Sequence, residues 1–463
     1  MTVPPLHRAL APALGQVEPA EVTGPRRWWA GPLDVEGLAL GSVQAAATAL
    51  QVWDPGRTPS VPADVVGPSF DSLRHLRVDG RAPVGFVPLS GFRECADGWV
   101  RTHANYPHHA AALRRALGLA DDADQADLAA ALAGRSALDV EESVVAAGGV
   151  AAAVRSPDEW EASPQGQAAA AGPWVELRDP SGAPLTLGTV HSYPGKVHNY
   201  PGEGGERPVP QGSGLGGVRV LDLTRVIAGP TGSRLLGALG ADVLRIDPPQ
   251  MPELLDQHVD TGFAKRSALA DLRDPESLAR VRELLEHADV VLLGYRAGAL
   301  DRYGLSAEAL LQDRPDLAVV SFDAWGEGPW SGRRGFDSIV QAACGIADVC
   351  RGPDGSPGAL PVQALDHATG YGVAAAAIAL LVHRRSTGEG GRARLSLART
   401  AAELMALPPC EHPAGLQAGD ALRTADSPFG SLRYVRPPLD LDGRALEHPW
   451  LPRPYGEDTL TWR

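Results

Sequence analysis

The chain has 463 residues, a length that predicts two to four domains. Of these residues 44% are hydrophobic and 21% are charged, a composition that excludes a disordered protein. Its formal net charge is −14, which disfavours a nucleic-acid partner because phosphate backbones repel an acidic surface. Lysine is almost absent while arginine and alanine are abundant, which is typical of a GC-rich bacterial genome and leaves arginine and backbone N–H groups to hold any anionic ligand.

The N-terminal part of the chain is predicted to contain two units. Residues 1–70 form a helical or linker segment, in which Gly31–Leu50 predicts a turn followed by a buried, alanine-rich helix. Residues 71–191 are predicted to form a small α/β domain, with a strand around Trp99 and a helix over His108–Leu119.

A linker and a larger domain follow. Residues 192–215 are rich in glycine and proline, which predicts an extended linker. In residues 216–400, strands alternate with helices at βαβ spacing, so we expect an α/β domain with a doubly wound, parallel, Rossmann-like sheet. The predicted strands are Val218–Leu223, Asp242–Ile246, Ala288–Leu293, Leu317–Phe322 and Arg392–Leu397, and the predicted helices include Gly229–Leu239, Phe336–Val349 and Asp366–His383. Residues 401–463 are proline-rich and are predicted to form an extended tail.

Neither a membrane segment nor a metal site is predicted. Residues 1–16 contain no apolar core of signal-peptide length, and the longest apolar run, Val373–Val382, is shorter than the ~20 residues that a bilayer requires. The four cysteines show no Cys-x-x-Cys spacing, which fits a reducing cytoplasm. The histidines His103, His108 and His109 have no carboxylate or cysteine at ligand spacing, so we expect them at the surface.

Two features at predicted helix starts could carry chemistry. Asp366 begins an apolar helix, where aspartate is favoured as an N-cap. The same position keeps a carboxylate ionised, so Asp366 could also be a nucleophile. The turn Asp222–Pro230 follows the first strand without a Gly-x-Gly-x-x-Gly fingerprint, and is either an ordinary βα turn or a ligand-lining loop.

The segment 214–400 contains five blocks in a distinctive order and spacing, and a sixth, SPFGSLRYVRPP, follows it; the five are GVRVLDLTRVIAGPTGSRLLGALGADVLRID, KRSALADLRDPES, ADVVLLGYRAGALDRYGLSAEAL, GFDSIVQAACGIA and LDHATGYGVAAAAIALLVHRRSTGEGGRARLSL. In these blocks the chain resembles the class III CoA-transferase (CaiB/BaiF) family, which includes formyl-CoA transferase and the carnitine CoA-transferases. Residues 88–185 resemble the family's small domain, which normally comes later in the chain, so the family's parts stand in altered order. The N-terminal half resembles a decayed second copy, within 1–70 of which Asp34 takes the place of Asp366.

The resemblance implies that Asp366 is the catalytic residue of a CoA-transferase. Its carboxylate would attack an acyl-CoA thioester, and the resulting anhydride would be converted into an aspartyl-CoA thioester before CoA passes to an acceptor acid. Coenzyme A and acyl-CoA are then substrates and no cofactor is held permanently, while a small carboxylic acid is the other partner. Backbone N–H groups at the helix start are the expected oxyanion donors. Class III enzymes form interlocked homodimers, so we also expect a homodimer.

The same resemblance implies the CoA-binding residues. Asp337 matches an acidic position near the nucleophile, as a supporting residue or a helix cap, and Arg302 has the charge and shape to bind phosphate or to form a surface salt bridge. Three departures from the family affect the CoA site: Ile227 replaces a glutamine, Pro248–Pro252 replace a Gly-Asp-x-x-Arg segment, and Phe263-Ala264 replace Asn-Arg. The implied CoA-binding residues are Val226, Ile227 and Ala228 in a first loop, and Gly294, Tyr295, Ala299 and Arg302 in a second.

Two alternatives remain open. The superfamily contains α-methylacyl-CoA racemases, which use the histidine of a Gly-His-Asp segment, but this chain has Phe336, which cannot shuttle a proton. His367 beside Asp366 keeps that alternative alive, although adjacent helix residues point in different directions. The three departures support the other alternative, a CoA-binding pseudoenzyme.

Overall fold

The computed structural model describes residues 3–186, 214–409 and 418–463. The linker predicted over 192–215 lies outside these residues except for Gly214 and Leu215, and Cys410 lies outside them as well. The predicted division into domains stays a prediction, whereas the α/β fold class is confirmed by the elements below.

The described α-helices are α1 (Ala11–Leu14), α2 (Val35–Trp53), α3 (Ala63–Phe70), α4 (Ser72–His75), α5 (Pro107–Leu117), α6 (Gln125–Leu132), α7 (Ala137–Ala146), α8 (Pro157–Ala162), α9 (Pro164–Ala170), α10 (Ala228–Ala238), α11 (Leu255–Thr261), α12 (Pro275–Glu286), α13 (Ala307–Asp313), α14 (Asp337–Ala343), α15 (Ile346–Val349), α16 (Ala364–Thr387) and α17 (Leu397–Met405). The strands are β1 (Glu21–Thr23), β2 (Pro59–Pro62), β3 (Arg77–Val78), β4 (Gly91–Glu94), β5 (Trp99–Thr102), β6 (Ala151–Ala153), β7 (Glu176–Arg178), β8 (Arg219–Leu223), β9 (Asp242–Asp247), β10 (Arg266–Leu269), β11 (Val290–Leu293), β12 (Ala318–Asp323), β13 (Gly391–Ser396), β14 (Leu422–Ser427), β15 (Gly430–Val435), β16 (Asp440–Leu441) and β17 (Arg444–Ala445).

The central sheet has seven strands in the order β10-β9-β8-β11-β12-β13-β7. Every neighbouring pair is parallel except β13 and β7, which run antiparallel. Numbered along the chain, the six parallel strands read 3-2-1-4-5-6, which is the order of a doubly wound sheet. The chain reverses its winding direction between β8 and β11, and ligands of such sheets bind beyond the carboxyl ends of the strands at that point.

Helices cover both faces of this sheet because successive residues of the strands enter different cores. Val220 and Val290 pack with α10 and α16 on one face, whereas Leu221 and Val291 pack with α12 and α13 on the other. Burial on both faces explains why β11 is entirely apolar, while β8 combines three apolar residues with Arg219 and the buried Asp222.

Small residues bring three long helices close together on the first face. Helix α16 contacts both α2 and α10, and almost all of α2 and α16 is buried. A Cβ atom on Gly370 would lie 2.3 Å from the carbonyl oxygen of Ala228, so only glycine permits this approach of α16 to the start of α10. By length and composition α16 could cross a membrane, but 94% of its apolar window is buried in the protein, as in an ordinary core helix.

The two halves of the chain share sheets. Strand β7 pairs with β13, β3 pairs with β15, and β2 pairs with β16, so three of the four sheets in the described residues contain strands from before residue 186 and after residue 214. The order α2-β2-α3 also repeats the order α16-β13-α17, while the duplication itself stays a prediction.

Two predicted elements differ from the structure. The single helix predicted over 336–349 is divided into α14 and α15, because Gly345 adopts a φ of 85° that an α-helix cannot continue through. The extended tail predicted over 401–463 is wrong at its start, where residues up to Met405 belong to α17. It is wrong as well over 422–445, where β14 and β15 form an antiparallel hairpin and β16 and β17 form a second pair. Gly430, with a φ of 96°, permits the turn of the first hairpin.

Candidate active site

A cavity of about 550 Å³ lies beyond the carboxyl ends of β8 and β11, where the sheet reverses its winding. The loops after these two strands form one wall, and residues at the start of α5 form another. The predicted residues that line this cavity are Val226, Ala228, Gly294, Tyr295, Ala299, Arg302 and Asp366. Ile227 and Asp337 are not among its lining residues.

Asp366 reaches the cavity from the first turn of α16, where it is only 7% exposed. The helix begins at Ala364 with Gln363 as its N-cap, so the expectation that Asp366 is itself the N-cap is wrong. The start of the helix was also expected to keep this carboxylate ionised. The structure favours the protonated form instead, because burial, and after it the charge of Asp337, raises the pKa of Asp366 well above its ordinary value.

Asp337 caps the helix that carries Asp366. Its Oδ2 atom accepts the backbone N–H groups of Leu365 at 2.8 Å and of Asp366 at 3.0 Å, and its other oxygen accepts from the Gln341 side chain. Burial raises the pKa of Asp337 to about 6. The cap interpretation therefore applies to α16, although Asp337 belongs to α14.

This cap removes the oxyanion donors that the sequence suggested. The N–H groups of Leu365 and Asp366 are taken by Asp337, and those of the residues on either side donate to backbone carbonyl oxygens. The start of α16 thus has no free N–H group among its first four residues, and the expectation of oxyanion donors there is wrong.

A buried polar network lies next to the first loop, Val226–Ala228, and fixes its position. Asp222, at the end of β8, accepts hydrogen bonds from the N–H and hydroxyl groups of Thr224 and from the hydroxyl group of Ser233. Lys265 donates to Ser233 Oγ at 2.7 Å and to the carbonyl oxygen of Pro230 at 2.9 Å, and lies 3.5 Å from Asp222. Burial lowers the pKa of Lys265 to about 7. These contacts fix the turn that leads into α10.

Glu253 anchors the same loop from the side, and sequence reasoning missed it. Its Oε2 atom accepts the Val226 N–H group at 2.9 Å, and its Oε1 atom accepts the Tyr106 hydroxyl group at 2.6 Å. It directly follows Pro248–Pro252, the segment that stands in place of the family's Gly-Asp-x-x-Arg pattern, and a single glutamate at an otherwise unpatterned position gave no signal.

Arginines give the cavity positive charge. Arg302 lies with its guanidinium group 4.7 Å from the centre of the Tyr303 ring, and Arg296 and Arg334 line the same cavity. Within the described ranges none of the three forms an ion pair with a carboxylate, so the alternative of a surface salt bridge for Arg302 is not observed. Unpaired guanidinium groups suit a ligand that carries phosphate or carboxylate groups.

The expectation that the three histidines lie at the surface holds for His108, which is exposed, and is wrong for His103 and His109. His108 and His109 line the cavity, and His103 and His109 are buried. The His103 ring stacks on Phe336 with centroids 3.8 Å apart and planes 5° apart, so the phenylalanine of the Gly-Phe-Asp segment supplies a packing surface for the wall. Across the part of the chain that the structure describes, no group of three or more potential ligands is placed to hold a metal ion.

Two further residues that the sequence analysis singled out, His367 and Asp34, lie away from the cavity. His367 points toward α10, where its Nδ1 atom is 3.3 Å from the Thr231 hydroxyl group, and burial lowers its pKa to about 3. Asp34 caps α2 by accepting the Gly37 N–H group and pairs with Arg26. Neither residue lines the cavity that contains Asp366.

Known proteins resemble the second half of the chain. Residues 215–434 match the model for CoA-transferase family III. A succinate–glutarate CoA-transferase of Agrobacterium fabrum is 33% identical over 202 residues, which are 40% of this chain and 50% of that protein. A probable fatty acyl-CoA transferase of Mycobacterium tuberculosis is 32% identical over 188 residues, covering 38% and 48% of the two chains. A formyl-CoA:oxalate CoA-transferase of Streptomyces coelicolor is 31% identical over 196 residues, covering 40% and 47%. The chain thus spans about half the length of the curated relatives it matches.

Proposed function

Residues 215–434 belong to CoA-transferase family III, and from that premise we propose that the chain moves CoA from an acyl-CoA to a small carboxylic acid through Asp366. The observation that carries the proposal is the position of Asp366, which opens onto the same cavity as the two loops that follow β8 and β11. A carboxylate at this place can reach a thioester whose CoA portion lies along those loops.

The proposed reaction proceeds by covalent exchange at Asp366. A carboxylate oxygen attacks the acyl carbonyl carbon, and the C–S bond breaks to give a mixed anhydride and the CoA thiolate. The thiolate then attacks the aspartyl carbonyl carbon and releases the first acid. The acceptor carboxylate attacks the carbonyl carbon of the resulting aspartyl-CoA thioester, and the C–S bond breaks to give a second mixed anhydride and the CoA thiolate. The thiolate then attacks the acceptor's carbonyl carbon in this anhydride, which forms the new acyl-CoA and releases the Asp366 carboxylate.

Charge and shape support the choice of substrates. Arg296 and Arg302 lie on the second loop, where they can pair with the phosphate groups of CoA. The relatives act, by their names, on succinate, glutarate, formyl-CoA and oxalate or fatty acyl groups, so the family resemblance leaves the acyl group and acceptor of this chain open. The homodimer and the cytoplasmic location stay predictions.

Hydroxylamine trapping tests the proposal. The chain is incubated with a panel of acyl-CoAs and hydroxylamine, then digested, and the peptides that contain Asp366 and Asp34 are weighed. We expect a hydroxamate on Asp366 and none on Asp34, because an ion pair holds Asp34 outside the cavity. The adduct should disappear in the Asp366→Ala variant, and the reactive acyl-CoA identifies the donor class.

The same incubation separates the alternatives. No adduct together with exchange of the α-proton of an acyl-CoA for deuterium in D₂O would favour the racemase. No adduct and no exchange, with CoA still bound, would favour a pseudoenzyme. Either result contradicts transfer through Asp366.

The pH dependence offers a second test, through Asp337. Nucleophilic attack requires an ionised Asp366, so activity should fall as pH is lowered through its raised pKa. In the Asp337→Asn variant the neighbouring negative charge is gone, and the acid limb of the kcat/KM profile should move to lower pH. The amide oxygen can still accept the two N–H groups of α16. A profile that moves to higher pH, or an unchanged one, would contradict the coupling of the two carboxyl groups.

A further inference from the structure

Glu253 joins two walls of the cavity without lining it. Its side chain is fully buried, and each of its oxygens accepts two hydrogen bonds. Oε2 receives the Val226 N–H group and, at 3.1 Å, the Arg245 side chain, while Oε1 receives the Tyr106 hydroxyl group and the N–H group of Leu254 at 3.0 Å. Because one buried carboxylate accepts all four hydrogen bonds, the groups that donate them are held in fixed positions relative to one another.

The backbone conformation of Val226 indicates that Glu253 holds the first loop in place. Val226 has a φ of 68°, a left-handed conformation that is unfavourable for a β-branched residue by about 1–3 kcal/mol. Such a conformation persists only where surrounding contacts hold it, and the N–H group of Val226 is bound by Glu253 at 2.9 Å. Val226 itself lines the cavity.

The second wall is attached through Tyr106. This residue precedes α5, lines the cavity beside His108 and His109, and donates its hydroxyl group to Glu253. The guanidinium group of Arg225 lies 5.3 Å from the centre of the Tyr106 ring and so packs the first loop against the same residue. Burial would raise the pKa of Glu253, but Arg245 and Arg225 outweigh it and lower the pKa below its ordinary value, so the group is a charged acceptor.

We propose that Glu253 is a positioning residue that holds the first loop in its ligand-facing conformation and couples this loop to the opposite wall of the cavity, which contains Tyr106. Binding of CoA against the loop and placement of the wall around the acyl group are then set by one carboxylate. The proposal rests on the proposed function in taking CoA as the ligand of the loop. It extends that function by naming a residue outside the cavity that controls the affinity of the cavity for CoA.

Asp260 provides a matched control. Like Glu253 it is a buried carboxylate that accepts a hydroxyl group from the N-terminal half, Ser72 Oγ at 2.8 Å, and lies beside an arginine, Arg234, at 3.8 Å. Neither Asp260 nor these two partners lines the cavity, whereas two partners of Glu253, Val226 and Tyr106, do line it. If a buried carboxylate contributes only to the stability of the fold, Glu253→Gln and Asp260→Asn should have similar effects. If Glu253 holds the first loop, only Glu253→Gln should alter the loop and the binding of CoA.

Calorimetric titration with CoA and steady-state kinetics test the coupling. We expect Glu253→Gln to raise the Kd for CoA and the KM for acyl-CoA about tenfold, with kcat changed much less, because the amide has one acceptor oxygen in place of two. Tyr106→Phe should raise the Kd several-fold alone and have no further effect in the Glu253→Gln background. Additive effects of the two substitutions, or an equal rise in Kd in Asp260→Asn, would overturn the proposal.

Hydrogen exchange in the ligand-free chain tests the anchoring of the first loop without assuming that the chain binds CoA. The peptide covering 224–228 should exchange faster in Glu253→Gln than in the wild type and should be unchanged in Asp260→Asn. If the wild type binds no CoA but this difference is present, the proposed function fails while the anchoring of the loop stands. If the exchange of 224–228 is unchanged in Glu253→Gln, the anchoring is overturned whether or not CoA binds.

Discussion

The Asp366→Asn variant should lose CoA transfer by at least about 10³-fold while it keeps its affinity for CoA, because the substitution removes the nucleophile and preserves its shape. The loss should appear in kcat, measured under saturating acyl-CoA and acceptor. Calorimetric titration with CoA checks the second half of the expectation. A variant that retains a tenth of the wild-type kcat would contradict covalent transfer through Asp366.

The same variant should be more stable than the wild type at neutral and alkaline pH. A carboxyl group whose folded pKa is raised stabilises the fold fully below its unfolded pKa, and this contribution is lost as pH rises through the folded pKa. The neutral amide carries no such loss, so urea unfolding should show an advantage for Asp366→Asn that grows over that pH range. Catalytic residues commonly carry this cost to stability.

Asp34→Asn is the matched control and should behave in the opposite way. Asparagine can still cap α2, but the charge that pairs with the buried Arg26 guanidinium group is lost, so the free energy of unfolding should fall by about 1.5 kcal/mol. Asp34 lies outside the cavity, so kcat should stay at the wild-type value. A loss of turnover in Asp34→Asn would show that the N-terminal half takes part in the chemistry.

Gly370→Val should produce the largest loss of stability among the substitutions considered. The added Cβ would lie 2.3 Å from the carbonyl oxygen of Ala228 and 2.8 Å from the Cβ atom of Thr231, so α16 must move away from α10. Overpacking of this kind costs about 3 kcal/mol. Since Ala228 lines the cavity, the shift should also raise the KM for acyl-CoA. Urea denaturation and steady-state kinetics measure the two effects.

Gly134→Val separates this packing effect from the general cost of replacing a glycine. Gly134 is exposed, and a Cβ atom added there would meet nothing within 4 Å. The free energy of unfolding should change by no more than about 0.5 kcal/mol. Equal losses in the two variants would mean that contact between α10 and α16 is not the cause.

The parts of the site that could be predicted from sequence are those whose signal is local. The apolar runs of β8 and β11 locate the strand ends, and a doubly wound sheet brings the loops after those strands together. Asp366 could be found because it lies at the start of a long helix with few other polar residues.

The rest depends on contacts between distant segments. Tyr106 reaches Glu253 across 147 positions, and no spacing or periodicity in either segment indicates the pair. The capping of α16 by Asp337 joins residues 29 positions apart, and it changes which N–H groups remain free. His103 and His109 were wrongly placed at the surface because Phe336, against which both rings pack, lies in the other half of the chain.

The sharing of sheets between the two halves has a consequence for assembly. Without residues 3–186, strands β13, β15 and β16 would each lose a neighbour and present unpaired backbone edges, and α16 would lose the cover of α2. If the gene were divided between residues 186 and 214, each product would therefore depend on the other as an obligatory folding partner. Formation of the active protein would then become a second-order process that depends on subunit concentration, whereas covalent continuity makes it first-order.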